Sequence, residues 1–359
     1  MARHSESLSP DWVVAPGEIL AEALAERDMT QSELAARMAR PLKTVNEIIN
    51  AKAAITPQTA LQLERTLGIS AEFWNGLESN YRTDLARKEL RSQLESSKGW
   101  ATAFPIRDMV KYKLISNSTD KAEQVASLLD YFRVGSPEAF DRYWTGHAAA
   151  FRASPTFEAS PKATAAWLRW GEIEVEGIET PNFDESRLQA ILADLRRQSR
   201  APFARGLSHS RALLNESGVA LILVPELAGT RLNGASWWRG NRAVVQLSLR
   251  HKSDDQFWFT LFHELAHLLT DKHKNFVDGA ELQVRSRAEQ EADKFARDCL
   301  ISPVVWQEFI EHQSFDSKTV QDFAKSEEIA PGIVVGRLQR EGLVLRSHLN
   351  DLKRRMVFP

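Results

Sequence analysis

Residues 263–267 read His263-Glu264-Leu265-Ala266-His267. Side chains four apart stand one turn above each other on a helix, so two imidazoles at this spacing can grip one metal ion from the same face. A carboxylate beside the first histidine can accept a proton from a water activated at that ion, which is the chemistry of metal-assisted hydrolysis. With nine histidines in 359 residues, the pattern would arise by chance about 0.03 times per chain. Its surroundings, Phe257, Phe259, Leu261, Phe262, Leu265, Leu268 and Leu269, make the helix apolar nearly all round. Two histidines and a glutamate in such a helix are costly unless something satisfies them. A catalytic zinc site needs a third protein ligand. Asp271, Asp278, Glu281, Glu289, Glu291, Asp293 and Asp298 lie downstream, together with His273. Glu289 and Asp293 share a helical face with Ala292 and Ala296, small residues that would let this helix approach the histidine helix closely. One carboxylate of that pair can bind metal while the other orients a ligand imidazole. Glu291 points elsewhere, with Ala288 and Phe295. The single cysteine, Cys299, excludes both an intramolecular disulfide and a cysteine-based zinc site, which leaves nitrogen and oxygen ligands.

The elements that would position these groups can be read from the pattern. Val219–Val224 is a continuous apolar strand. Gly234–Trp238 and Ala243–Leu249 form two more around the turn Arg239-Gly240-Asn241. Helices follow over about Asp255–Thr270 and Arg287–Leu300, so this part of the chain is α+β. Upstream, residues 82 to about 200 carry helical stretches at Asp120–Phe132, Ser136–Trp144 and Asp184–Arg197. Pro155, Pro161 and Pro181 punctuate them, and nothing there has metal or nucleophile spacing. Gly17–Tyr81 reads as five short helices. Thr30 and Glu33 form a capping box, Pro57 sits at a first helical position, and Gly68 is a stop. The division expected is a helix-turn-helix domain over 11–81, a helical linker or spacer over 82–203, and a peptidase domain over 204–359.

The metal motif, followed by Glu289-Gln-Glu-Ala-Asp293-Lys-Phe-Ala296, resembles the ImmA/IrrE family of zinc metallopeptidases. The strands before it, Gly234-Ala235-Ser236, and the Ile329–Leu343 stretch with Val334-Val335-Gly336-Arg337-Leu338 also look like that family. The resemblance covers about 205–345. It implies a zincin-like fold, zinc (Zn2+) held by His263, His267 and Glu289, Glu264 as catalytic base, and Asp293 behind a ligand. The family often has Asn where Asp293 stands, and a Leu-Met-Pro-like ending where this chain has Leu300-Ile301-Ser302-Pro303. All four tyrosines precede the peptidase region, so an oxyanion would have to be met by another group. His251, His273, Arg285 and Arg287 are candidates.

The segment at about 16–80 resembles Cro/repressor-type helix-turn-helix proteins, and Pro41–Pro57 is similar to the HigA-type antitoxin subgroup. In such folds the third helix enters the major groove. Its exposed residues would be Lys43, Thr44, Asn46, Glu47 and Asn50, of which Lys43, Asn46, Asn50 and Thr44 can meet base edges. Gln31, Arg40 and Lys52 suit phosphates. Residues 1–80 carry seven basic and eleven acidic side chains, a net −4, yet residues 37–52 carry four and one, a net +3. The positive charge therefore gathers at the proposed DNA face, and a homodimer on a palindromic operator would compensate for its small amount.

The whole chain has a formal net charge of −2 and is 26% charged and 43% hydrophobic. That balance excludes a polybasic tail or an acidic solvating chain. No run approaches the roughly 20 apolar residues of a membrane helix, and Met1–Pro10 lacks an apolar signal core. The expectation is a cytoplasmic, multidomain regulator with no membrane partner. Its partners would be double-stranded operator DNA and a regulatory protein that it cleaves, with self-cleavage in a linker such as 145–183 also open. The alternative is a regulator or toxin–antitoxin antidote whose peptidase-like domain only senses.

Overall fold

Proline and hydroxyl caps set the first five helices. In the computed structural model, which describes residues 14–150, 160–270, 282–311 and 315–356 (backbone only over 145–150 and 282–286), these are α1 Pro16–Ala25, α2 Gln31–Arg37, α3 Leu42–Ile49, α4 Pro57–Leu67 and α5 Ala71–Ser96. The Thr30, Thr56 and Ser70 hydroxyls accept from the backbone N–H three residues on, which satisfies otherwise orphaned donors. Thr30 makes its half of the expected capping box, but Glu33 pairs with Arg37 at 2.5 Å. Gly68 closes α4 with φ of 73°. Leu20, Leu34, Val45, Ile48, Leu63 and Trp74 form one buried core. At Gly17 a Cβ would strike the backbone carbonyls of Ile48 and Ile49, so only glycine lets α1 sit this close to α3.

The chain divides into two compact units, Met1–Ser97 and Lys98–Pro359. In the second, α6 Lys98–Ala101, α7 Ile106–Lys111, α8 Lys121–Phe132, α9 Pro137–Ala150, α10 Pro161–Val175, α11 Glu185–Arg197 and α12 Phe203–Glu216 lead to the sheet. Residues 98–203, which the sequence leaves as a spacer, lie in the same unit as the metal motif. α10 lies along the sheet with Ala163, Ala166 and Trp167 buried. Trp167 Nε1 donates to the Val224 carbonyl at 3.2 Å, and Gln246 Nε2 donates to the Trp167 carbonyl at 2.7 Å. Gly171 is pressed against the Gln246 side chain. Trp100, Phe104, Phe132 and Phe140 stack edge-on or tilted in a separate aromatic cluster.

The sheet holds β1 Val219–Leu223, β2 Gly234–Arg239 and β3 Arg242–Leu247 in the order β1-β3-β2. β1 and β3 are parallel from Val219↔Ala243 to Leu223↔Leu247. β2 and β3 are antiparallel from Gly234↔Leu247 to Arg239↔Arg242. β3 is buried from Ala243 to Leu247, as a central strand must be, and β2 is an edge among the described residues. α13 Asp254–Thr270 packs on β2 and β3, and α14 Leu282–Leu300 packs on α13 with Ala292 and Ala296 buried between them. After α15 Pro303–Glu311 and α16 Ser317–Ser326, α17 Pro331–Arg340 returns against α13. Gly332 and Gly336 make that approach possible, since a Cβ at either would meet the Asp254 or Asp255 carboxylate. The C-terminal segment is latched there too, with Arg354 donating to Asp254 and Lys353 to Asp255. No helix among the described residues is long and apolar enough to cross a membrane.

Candidate functional site

α13 buries Phe257, Trp258, Leu261, Phe262, Leu265, Ala266 and Leu268, which fixes the direction of the remaining stripe. His263 and His267 stand on that stripe with their Nε2 atoms 3.2 Å apart. Glu289 of α14 reaches both, at 3.2 Å from His263 Nε2 and 3.3 Å from His267 Nε2. One ligand atom from each of the three falls within 4.8 Å of the others. The other nitrogen of His263, Nδ1, lies 2.9 Å from Asp293 Oδ1. Asp293 Oδ2 in turn accepts from Arg340 at 2.5 Å. That chain fixes the ring so that Nε2 faces Glu289, the usual arrangement behind a metal-binding histidine. Two imidazole nitrogens and a carboxylate converging at one point fit a zinc ion.

Charge in the cluster follows from its packing. Burial alone would lower the pKa of His263, but hydrogen bonds to Asp293 and Glu289 override it and hold it up at about 10. Burial would raise Glu289, and the two histidines override that, pulling it down to about 2. Asp293 is likewise held below the usual carboxylate range against burial by His263 and Arg340. In the metal-free protein the three residues are thus a charged, mutually satisfied cluster.

Glu264 points to the sheet. It is 8% exposed, and burial pushes its carboxyl above the usual carboxylate range, against the pull of His263, His267 and a hydrogen bond from Ser236. Gly234 on β2 makes room for it, because a Cβ there would come within 2.8 Å of Glu264 Oε1 and 2.9 Å of Thr260 Cγ2. Ser236 and Arg340 are the residues the motif reading passed over. Both lie in segments that resemble the peptidase family, yet neither has a spacing that marks it. Glu291 is turned away and pairs with the exposed Arg287 at 2.9 Å. His251 lies twelve residues before His263, in the segment between β3 and α13 rather than on the helix that carries the cluster. His273 and the Arg285 side chain lie outside the described residues, as do Asp271, Asp278 and Glu281.

In the first unit, α2 and α3 meet through the tight turn at Met38–Pro41, where Ala39 has φ of 52°. α3 buries Val45 and Ile48 and leaves Lys43, Asn46 and Asn50 exposed and Thr44 half-buried. Asn50 Nδ2 donates to Asn46 Oδ1 at 3.2 Å, and Asn46 Nδ2 donates to Gln31 Oε1 at 3.4 Å, so three amides form one polar row. Lys43 pairs loosely with Glu47 at 3.7 Å. Lys52 is exposed beyond the end of α3. Arg40 is placed differently, with Nε donating to Gln62 Oε1 at 2.6 Å and fastening the turn to α4.

The comparisons agree with both halves. The helix-turn-helix family profile matches residues 20–74, and the IrrE N-terminal-like domain profile matches residues 220–323. An uncharacterised HTH-type transcriptional regulator of Escherichia coli (strain K12), YddM, is 32% identical over 73 residues, 20% of this chain and 78% of that protein. The chain belongs to the helix-turn-helix transcriptional regulators. This regulator carries an IrrE-like domain behind its helix-turn-helix. Solved structures similar to the first unit include a HigA-family addiction module antidote from Coxiella burnetii. It is 38% identical and covers 23% of this chain and 92% of its own, at a TM-score of 0.22. Antitoxin HigA of Pseudomonas aeruginosa with the higBA promoter is 34% identical and covers 24% and 94%, at a TM-score of 0.23. By the two family profiles and its fold, the regulator is an all-α helix-turn-helix module joined to a larger α+β unit of the IrrE-like type.

Proposed function

We propose that this regulator binds operator DNA through α3 and cleaves a regulatory protein with a zinc-dependent endopeptidase site built on α13 and α14. The observation that carries the reading is the convergence of His263, His267 and Glu289 with Asp293 holding the far side of His263. A zinc ion there would supply a Lewis acid for the scissile carbonyl and an activated water. Glu264 takes the proton from the attacking water and passes it to the leaving amine. Its burial suits it to that exchange near neutral pH, since a raised carboxyl pKa makes it the stronger base. Ser236 donates to its carboxyl, and Gly234 leaves room for it. Among the described residues β2 is an edge strand, so an extended peptide added along it would run beside Glu264.

In the DNA-binding half, Asn46 and Asn50 are the readout surface, with Lys43 and Thr44 beside them and Gln31 and Lys52 on phosphate. A second copy would supply the other half-site. Arg40 holds the turn to α4 through Nε and offers its terminal nitrogens to phosphate. The test pairs metal analysis with proteolysis in the full chain. His263→Ala abolishes bound zinc, while Glu264→Gln retains zinc and loses cleavage of the regulatory partner. Equal zinc in wild type and His263→Ala refutes the metal site. Regulation that survives Glu264→Gln intact refutes proteolysis as its means.

A further inference from the structure

A cavity of about 640 Å³ lies against α13, α14, α17 and the C-terminal segment, behind the metal cluster. Asp255, Phe259, Arg297, Arg340, Arg346 and Lys353 all line it. Most of its charges are already spoken for. Arg337, also in the wall, is held by Glu341 and the Ile301 carbonyl, and Lys353 donates to Asp255 Oδ2 at 2.7 Å. Three groups are not. The guanidiniums of Arg297 and Arg346 have no carboxylate within reach among the described residues. Asp255 is only 4% exposed, and its Oδ1 has no hydrogen-bond partner. A buried carboxylate oxygen left without a donor is destabilising, and native structures rarely keep one without a use.

These leftover groups are complementary to one kind of molecule. Guanidiniums recognise carboxylate or phosphate, and an orphaned carboxylate oxygen needs an N–H or O–H. We propose that this cavity binds a small organic anion that also carries a hydroxyl or amine, with the anionic group on Arg297 and Arg346 and the donor on the Asp255 carboxylate in the cavity wall. The volume suits a ligand of nucleotide or sugar-phosphate size. The cavity also has a route to the metal cluster. Arg340 lies over the Phe259 ring at 4.7 Å and donates to Asp293, which holds His263. Arg340 also lines the cavity, so the charge of an anion held on Arg297 and Arg346 draws it from Asp293, and occupancy is linked to the hold on His263.

The test is calorimetric binding to the full chain, read without substrate. Adenosine monophosphate and malate offer a phosphate and a carboxylate, each with hydroxyls, and sulfate and succinate are their counterparts without the donor. One of the first pair should bind saturably with Kd below about 1 mM, and about tenfold or more tighter than its counterpart. Arg297→Ala and Arg346→Ala should each weaken it about tenfold, whereas Arg205→Ala, on an exposed part of α12, should not. Asp293→Asn should tighten it about threefold or more by releasing Arg340. No saturable binding, equal binding of the donor-free counterparts, or indifference to Arg297→Ala and Arg346→Ala overturns the site. An unchanged Kd in Asp293→Asn overturns the link through Arg340.

Discussion

Replacing Asp293 with alanine tests the arrangement behind the metal cluster more sharply than replacing a ligand. The substitution leaves His263, His267 and Glu289 untouched but removes the acceptor 2.9 Å from His263 Nδ1. The ring then loses its fixed orientation and the negative charge that strengthens Nε2 as a donor to metal. Losing such a supporting acceptor costs about 10–100-fold in metal affinity, or about 1.4–2.8 kcal/mol. Arg340 also loses its partner, but its side chain is 51% exposed and can turn to water, so that loss adds little. The assay is competition for zinc with a chromophoric chelator on the full chain, with thermal unfolding as a check on folding. Arg340→Ala should weaken zinc by less than about threefold, because Asp293 remains on His263. Glu291→Ala should leave affinity unchanged, since Glu291 pairs with Arg287 away from the cluster. Wild-type affinity in a folded Asp293→Ala protein would refute the reasoning.

In the metal-free protein His263 is raised to about 10, so its stabilising contribution is complete below about 6.5 and is lost as pH rises through about 10. Glu289 is lowered to about 2, so its contribution is present above about 4.5 and is lost as pH falls through about 2. Urea unfolding of the metal-free chain across pH should show both flanks, and zinc should flatten the alkaline one. Because zinc must displace the proton from His263, calorimetry in buffers of different ionisation enthalpy should show proton release on zinc binding at pH 7. Gly234→Ala should keep zinc at wild-type stoichiometry, lower Tm through about 1–3 kcal/mol of overpacking against Glu264, Leu247 and Thr260, and reduce proteolysis as Glu264 is displaced. Asn50→Ala should weaken operator binding by about 1–3 kcal/mol and relax specificity, whereas Lys52→Ala should weaken all sequences alike and lower the salt dependence, both read by fluorescence anisotropy.

The strands at 219, 234 and 243 and the helices carrying His263 and Glu289 are legible because each carries a strong apolar pattern. The small face of Ala292 and Ala296 is legible for the same reason. Arg340 is not, because its meeting with Asp293 spans 47 residues and depends on how α17 docks, which Gly332 and Gly336 decide. Pro161 reads as punctuation from sequence but sits at the first turn of α10, where its missing N–H costs nothing. α10 is therefore invisible to a reading that treats proline only as a break. Arg40 reads as a phosphate contact because it is basic and near α3; that its Nε also braces the turn through Gln62 is not legible, because Gln62 comes from the next helix.

The seating of α10 on the sheet bears on how this protein can be dissected and how it can be cut. A fragment beginning near residue 204 would contain every proposed zinc ligand, yet it would strip Trp167 from the Val224 carbonyl and leave Gln246 facing water. Such a fragment should aggregate, whereas one beginning at Lys98 keeps the sheet covered on that side. The same packing protects residues 161–175 of the 145–183 span in which self-cleavage was open. Residues 161–175 are helical and largely buried, so a peptidase could reach them only after α10 had been peeled from the sheet.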